Sequence, residues 1–223
     1  MALDAQSIND AQWGSQTDKG GMNPVVAKAQ ILLGRAHFSP GEIDGKIGEN
    51  FKKAVTAFSA EQGVEARGEL SEEVWKKLVS LSQEPVLTEY PISDDDVRGP
   101  FLQTLPSKME DMKDLPSLGY TSPKEKLAEK FHMSQELIEA LNPGKRLDTP
   151  GERISVAKIS IGAPPPQKAV RLEVDKSTQV LKAFTKDNKV VAVYPVTAGS
   201  EREARAERQI KGRRCKQKSD LQI

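Results

Sequence analysis

The feature that most constrains the fold is a series of three apolar stripes at helical spacing between residues 24 and 81, separated by Gly-rich segments. Asn23 and Pro24 precede the first stripe, as expected for a helix N-cap and first helical position, and Ser71 can cap the third helix. The stripes comprise Val25, Ala29, Leu32, Leu33 and Ala36; Phe51, Ala54, Val55 and Phe58; and Val74, Leu78 and Leu81. Because helices this short are marginal alone, the pattern predicts a small bundle in which the three apolar faces close on one another.

Three motifs follow the first helix: the turn G-x-I-D-G-x-I-G, the helix motif F-x-x-A-V-x-x-F and then V-W-x-x-L around Trp75. These motifs, in this order, resemble the peptidoglycan-binding type 1 domain. We assign the domain to residues 22–82, after an N-terminal extension at 1–21. Within the turn, Asp44 and Gly45 are expected to shape the backbone rather than to contact ligand, since Gly supplies special backbone angles. The resemblance implies peptidoglycan as the partner.

A second unit, residues 83–160, has the pattern strand, helix, helix, strand. A strand-like run at 86–90 is followed by a long polar connection that starts at Asp94–Asp96. Ser122 and Ser134 can each cap a helix, and residues 153–156 alternate like a strand. The phrases L-A-E-K-F-H-M-S-x-E-L-I-x-x-L-N-P-G and P-G-E-x-I-x-V resemble a LysM carbohydrate-binding module that carries an insertion at 97–119.

The LysM resemblance implies a sugar groove between two loops, with glycan, or glycan carrying peptide stems, as ligand. The residues of these loops are Tyr120, Thr121, Ser122, Asn142, Pro143 and Gly144.

A Pro-rich linker at 161–167 leads into a third segment, residues 168–201, with three strand-like runs. The phrases A-V-R-L-E-V-D-K-S-T-Q-V-L-x-A-F and V-V-A-V-Y-P-V-T-A-G-S resemble the opening strands of an L,D-transpeptidase catalytic domain. The predicted fold class is therefore α+β: a three-helix domain, a LysM-like βααβ module and an incomplete β stub. Such a stub is expected to leave its sheet edges unpaired and to form no stable domain.

No catalytic residue is expected. By resemblance, L,D-transpeptidases use a Cys nucleophile in a Ser-His-Gly-Cys-x-Arg stretch and a further His-Gly upstream, and neither string occurs here. The single cysteine, Cys215, has no histidine near it in sequence, and His37 and His132 are expected to be structural. These residues also predict no metal site, and nothing indicates a cofactor.

The basic tail at 202–223 admits a further interpretation. With suitable synonymous codons, reading from the second nucleotide of the Arg202 codon gives GKPAPSGRLKVEGVSKNPTYR, which resembles the continuation of L,D-transpeptidases after their T-A-G-S strand. We therefore expect a frameshift after about Glu201 and a disordered tail.

Charge and location leave three function classes open. With 33 Lys and Arg against 32 Asp and Glu, the balanced charge favours neither nucleic acid nor a membrane surface. Peptidoglycan binding without catalysis is the leading hypothesis; a functional L,D-transpeptidase, of which this chain is a fragment, and nucleic-acid binding by the basic tail are the alternatives.

No run of membrane-spanning length occurs, and the sequence leaves the oligomeric state open. The resemblance implies the cell envelope or periplasm, whereas the first residues lack a secretory signal and predict a cytoplasmic chain as written.

Overall fold

The computed structural model describes residues 3–14, 21–66, 68–103, 119–159 and 167–197. Within these ranges the fold is α+β, as predicted, with short helices and two small antiparallel sheets. Most of the 97–119 insertion, residues 161–166 of the linker and the 202–223 tail with Cys215 lie outside the described residues. Among the helices that are described, none is long and apolar enough to cross a membrane.

The first unit contains four helices within the described ranges. They are α1 (Ala5–Asn9), α2 (Pro24–Arg35), α3 (Glu49–Glu61) and α4 (Glu72–Ser80). The predicted N-caps are confirmed: the side chain of Asn23 accepts hydrogen bonds from the backbone N–H groups of Val25 and Val26, and Ser71 accepts one from Val74. Helix α1 lies in the expected N-terminal extension, and its Ile8 is fully buried against α2. The extension therefore contributes to the core of the bundle.

In the second unit, two strands pair with each other, and the helices lie between them in sequence. Its elements are β1 (Leu87–Pro91), α5 (Asp94–Val97), α6 (Pro123–Lys130), α7 (Gln135–Leu141) and β2 (Arg153–Ala157). Strands β1 and β2 are antiparallel, with Glu89 opposite Ser155. The polar connection that starts at Asp94 opens with a short helix that the sequence analysis did not predict, because Ser93 and Asp96 form a capping box that begins α5.

The third unit is a three-stranded antiparallel sheet in the order β3 (Arg171–Asp175), β4 (Val180–Phe184), β5 (Val190–Pro195). Its β5 edge is not unpaired, contrary to expectation. The N–H of Ser39 donates to the Val193 carbonyl at 2.8 Å, and the Val193 N–H donates to the His37 carbonyl at 2.8 Å. Val193 is 2% exposed and belongs to the same hydrophobic core as the helices. The sheet is thus attached to the first unit.

Arg35, at the end of α2, fixes both ends of the second unit to the first. Its guanidinium donates to the carbonyl of Pro85 at 2.7 Å, just before β1, and to the carbonyl of Lys158 at 2.8 Å, just after β2. It also donates to the Ser82 hydroxyl at 2.9 Å. A single side chain therefore ties the entry and the exit of the second unit to α2.

Candidate functional site

The turn at 39–48 is built around the buried amide of Gln30 on α2. Gln30 is 1% exposed. Its Nε2 donates to Asp44 Oδ1 at 2.7 Å, and its Oε1 accepts from the Gly45 N–H at 2.8 Å. Gly45 has φ +70°, and a Cβ at this position would lie 3.3 Å from the Asn23 nitrogen. Asp44 and Gly45 therefore shape the turn, as predicted.

This role of Gln30 was not predicted from the sequence. The available signal was a polar residue in the middle of an otherwise apolar helix, directly beside Ala29 and Ile31. A buried amide needs partners for its donors and its acceptor, and such a partner must come from outside the helix. The helical pattern does not indicate which segment supplies it.

The same turn joins the first unit to the second. The Ile43 N–H donates to the carbonyl of His132 at 2.8 Å, and the Ser134 N–H donates to the carbonyl of Ile43 at 2.8 Å. Ile43 and Met133 are both at most 1% exposed and lie in one core. The turn between α6 and α7 is therefore fastened to the Asp44–Gly45 turn through backbone hydrogen bonds and a shared apolar contact.

Both histidines occupy the same position at the end of a helix. His37 has φ +66° and His132 has φ +55°, in the left-handed region. The N–H of Phe38 donates to the Leu33 carbonyl, and the N–H of Met133 donates to the Ala128 carbonyl, which closes the α2 and α6 ends as Schellman motifs. Burial lowers the pKa of His37. The backbone of each histidine therefore closes the end of a helix, which agrees with the expectation that both residues are structural.

The six residues predicted to flank a sugar groove lie in two loops at one end of the α6–α7 pair. The first loop leads into α6, and the second follows α7. Lys124 in the first turn of α6 and Glu139 in the last turn of α7 form an ion pair at 2.9 Å, so these helix ends are adjacent. The arrangement brings together Tyr120, Thr121, Ser122, Asn142, Pro143 and Gly144.

The polar groups of these six residues differ in whether they form hydrogen bonds within the fold. Asn142 is 6% exposed, and its amide exchanges hydrogen bonds with the backbone N–H and carbonyl of Ser155 at 2.6 and 2.9 Å. Ser122 caps α6. The side chain of Thr121 is exposed, as are Pro143 and Gly144. Contact with ligand stays a prediction for all six, and the exposed ones present the accessible surface.

A cleft of about 330 Å³ opens where the first unit meets α6 and α7. Its walls carry Gly41, Glu42, Glu125, Ala128, Glu129, His132, Met133 and Gln135. Burial raises the pKa of the Glu42 carboxyl, and the neighbouring charges of Asp44 and Glu136 raise it further. Hydrogen bonds from the hydroxyl and N–H of Thr121 lower the pKa of Glu125. The cleft is therefore a hydrogen-bond acceptor surface that sits beside the first predicted loop.

The described part of the chain offers no metal site of three or more His, Cys, Asp or Glu ligands, and its two histidines lie apart in sequence. The two histidines lie at the ends of different helices, one after α2 and the other after α6.

Comparison with known proteins identifies part of the first unit. Residues 23–78 match the family model for a peptidoglycan binding domain, which supports such a domain across α2, α3 and most of α4. No curated protein matches the chain.

Proposed function

We propose that the chain binds peptidoglycan without catalysing a reaction on it, and that its first two units bind it together. The observation that carries the proposal is the position of the cleft. The turn at 39–48 lies inside the segment that matches the peptidoglycan binding family, and its Gly41 and Glu42 line one wall of the cleft. The other wall is α6 with the start of α7, from the part of the chain that resembles a LysM module.

The chemistry of the cleft suits this ligand. A peptidoglycan strand presents sugar hydroxyls, acetamido N–H groups and the amides of its peptide stems, all of which donate hydrogen bonds. Glu42, Glu125 and Glu129 offer carboxylate acceptors, and Gln135 offers both a donor and an acceptor. Hydrogen bonds to ionised groups are the stronger class, so a few of them can orient a glycan.

The test is co-sedimentation of the full chain with purified sacculi, using cellulose as the control for unspecific polysaccharide binding. We expect the pair Glu42→Ala and Glu129→Ala to weaken binding about tenfold, equivalent to about 1.4 kcal/mol. A matched pair with the same charge change, Glu69→Ala and Asp187→Ala, removes exposed carboxylates outside the cleft and should bind as the wild type does. Equal pelleting with sacculi and cellulose would remove the functional proposal, and equal weakening by both pairs would remove the cleft from it.

The third unit supports a second proposal, that this chain derives from the L,D-transpeptidase family and acts in the cell envelope. Its support is the resemblance of residues 168–201 together with the β3-β4-β5 sheet in that segment. The nucleotide sequence across and beyond the Ser200 codon tests it, because a shifted frame that continues as the family does would restore a catalytic domain. Mass spectrometry of stem peptides incubated with the chain provides the activity readout, for which we expect no product. Nucleic-acid binding by the basic tail would instead show steep salt dependence.

A further inference from the structure

The outer strand of the three-stranded sheet has the features of an interaction edge. All five residues of β3 are exposed, and β4 is its only strand neighbour among the described residues. Val170, Leu172 and Val174 alternate with charged residues and are 62%, 63% and 52% exposed. An exposed and partly apolar edge strand is a ready template for pairing with another chain.

The sequence of β3 is complementary to itself in one register. When two copies pair antiparallel about a two-fold axis, residues that face each other have position numbers with a constant, even sum, because outward-facing backbone groups alternate along a strand. With Leu172 opposite its own copy, Arg171 faces Glu173 of the second chain, twice, and Val170 faces Val174, twice. Opposite charges and apolar pairs across strands each stabilise a sheet, by about 0.2–1 kcal/mol.

The registers shifted by one residue in either direction, or by two residues towards the C-terminus, each set like charges opposite one another. Moving the axis one residue towards the C-terminus still sets Arg171 opposite an acidic residue, Asp175, but places Glu173 opposite Glu173. Moving it one residue towards the N-terminus places Arg171 opposite Arg171. Like charges directly opposite one another are destabilising. Moving it two residues towards the C-terminus places Glu173 opposite Asp175, again with like charges. The charge pattern of the strand therefore selects the register centred on Leu172.

We propose that β3 is a homodimerisation edge at which two copies of this chain join their sheets into one six-stranded antiparallel sheet. At the opposite edge of the sheet, Val193 of β5 already pairs with residues 37–39. Two-fold pairing through β3 uses the other edge of this sheet in each copy. The assembly therefore closes at two chains instead of extending into a fibre.

Cysteine cross-linking of the full chain, in a Cys215→Ser background, tests the register. Directly opposite residues have Cα atoms about 4.5–5.5 Å apart, within the range that a disulfide spans. We expect Leu172→Cys to form a covalent dimer under mild oxidation. Val170→Cys and Val174→Cys should each cross-link poorly alone and efficiently when the two variants are mixed. Equal cross-linking of all three variants alone would overturn the register.

Sedimentation equilibrium tests the dimer itself. We expect the wild type to dimerise reversibly and Leu172→Lys, which sets two ammonium groups opposite one another, to raise the dimer dissociation constant at least about tenfold. The control is Leu81→Lys, at a leucine that is 53% exposed and lies outside β3. Circular dichroism verifies that both variants fold. A monomeric wild type, larger open assemblies, or equal effects of the two substitutions would each overturn the proposal.

Discussion

At the residue scale, the positive φ of His37 costs conformational free energy, and the surrounding fold holds the residue in this conformation. The left-handed region costs a residue with a Cβ about 1–2 kcal/mol, and glycine is the usual occupant of this helix-end position. Here the His37 carbonyl also accepts a hydrogen bond from the Val193 N–H. The position therefore closes α2 and holds β5 at the same time.

Replacing His37 by glycine should stabilise the protein. Relief of the backbone strain outweighs the greater freedom of glycine in the unfolded chain, so we expect a gain of about 0.5–1 kcal/mol. Chemical denaturation measures it. His37→Ala is the control, because alanine keeps the strained φ and should give no comparable gain. A glycine variant no more stable than the alanine variant would contradict the strain argument.

Replacing Gln30 by alanine should have the opposite effect. The substitution leaves the Gly45 N–H and the Asp44 carboxylate without their buried partner, which costs about 2–3 kcal/mol. The matched control is Gln83→Ala, at an exposed glutamine in the segment after α4, and it should change stability little. If both variants lose the same stability, Gln30 does not hold the turn.

Residues with local partners were predictable, and residues with distant partners were not. Asn23, Ser71, Ser122 and Ser134 were predicted as N-caps because the groups they bond lie two or three residues ahead, and each bonds as expected. Gln30 bonds a turn that lies 14 and 15 residues further along the chain. No local pattern encodes that pairing.

At the element scale, the short helix α5 is held by the carboxylate of Asp96. The side chain is 3% exposed and accepts hydrogen bonds from Lys130 Nζ at 2.7 Å, the Tyr90 hydroxyl at 2.6 Å and the Ser93 hydroxyl at 2.7 Å. Lys130 Nζ also lies 4.5 Å from the centre of the Tyr90 ring. One carboxylate thereby links β1, α5 and α6.

The stability supplied by Asp96 should disappear in acid. Burial alone would raise the pKa of this carboxyl, but the hydrogen bonds from Lys130, Tyr90 and Ser93 outweigh burial and hold the pKa well below its ordinary value of 3.8. A depressed pKa contributes stability above the unfolded value, and this contribution is lost progressively as pH falls from about 5 downward. We expect Asp96→Asn to cost about 2 kcal/mol at pH 7.

Denaturation of the wild type and of Asp96→Asn across pH 7 to pH 3 measures this difference, which should narrow as the pH falls. Asp95→Asn is the control, since Asp95 is exposed on the same helix. A difference that stays constant with pH would show that the charge of Asp96 is not the source of its stabilisation.

Sequence patterns predicted the longer elements better than the short ones. The helices with apolar periodicity and the alternating strands were identified, whereas α1 and α5, of five and four residues, were not. Both missed helices begin with a capping box, Asp4 with Ser7 and Ser93 with Asp96. Capping residues were therefore the only local signal for them, because helices this short have no periodicity to detect.

At the scale of the whole molecule, the units are not independent domains in series. Ile43 of the first unit lies against Met133 of the second, and Phe38 of the first pairs with Val193 of the sheet. The sequence predicted the order of these units but not their contacts. In the first unit, the apolar residues that make these two contacts, Ile43 and Phe38, lie in turns, which carry neither helical nor strand periodicity.

The attachment of the sheet can be tested by cutting the chain between the second and third units. We replace Pro164, Pro165 and Pro166 with a specific protease site, cleave the folded protein, and measure by size exclusion whether the fragments separate. We expect them to co-elute, because β5 shares backbone hydrogen bonds with residues 37–39 and buries Val193 in the common core. An isolated three-stranded sheet would otherwise be marginal in water.

Two neighbouring residues of β5 provide matched variants for this measurement. Val193 is 2% exposed and faces the helices, whereas Tyr194 is 43% exposed. Val193→Asp places a charge in the apolar contact and should release the sheet after cleavage. Tyr194→Asp adds the same charge on the solvent face and should leave the fragments together. Separation of the wild-type fragments would mean that the 168–201 segment is the unattached stub that its sequence alone suggests. If the wild-type fragments stay together, the sheet is held by the helical unit against which β5 packs.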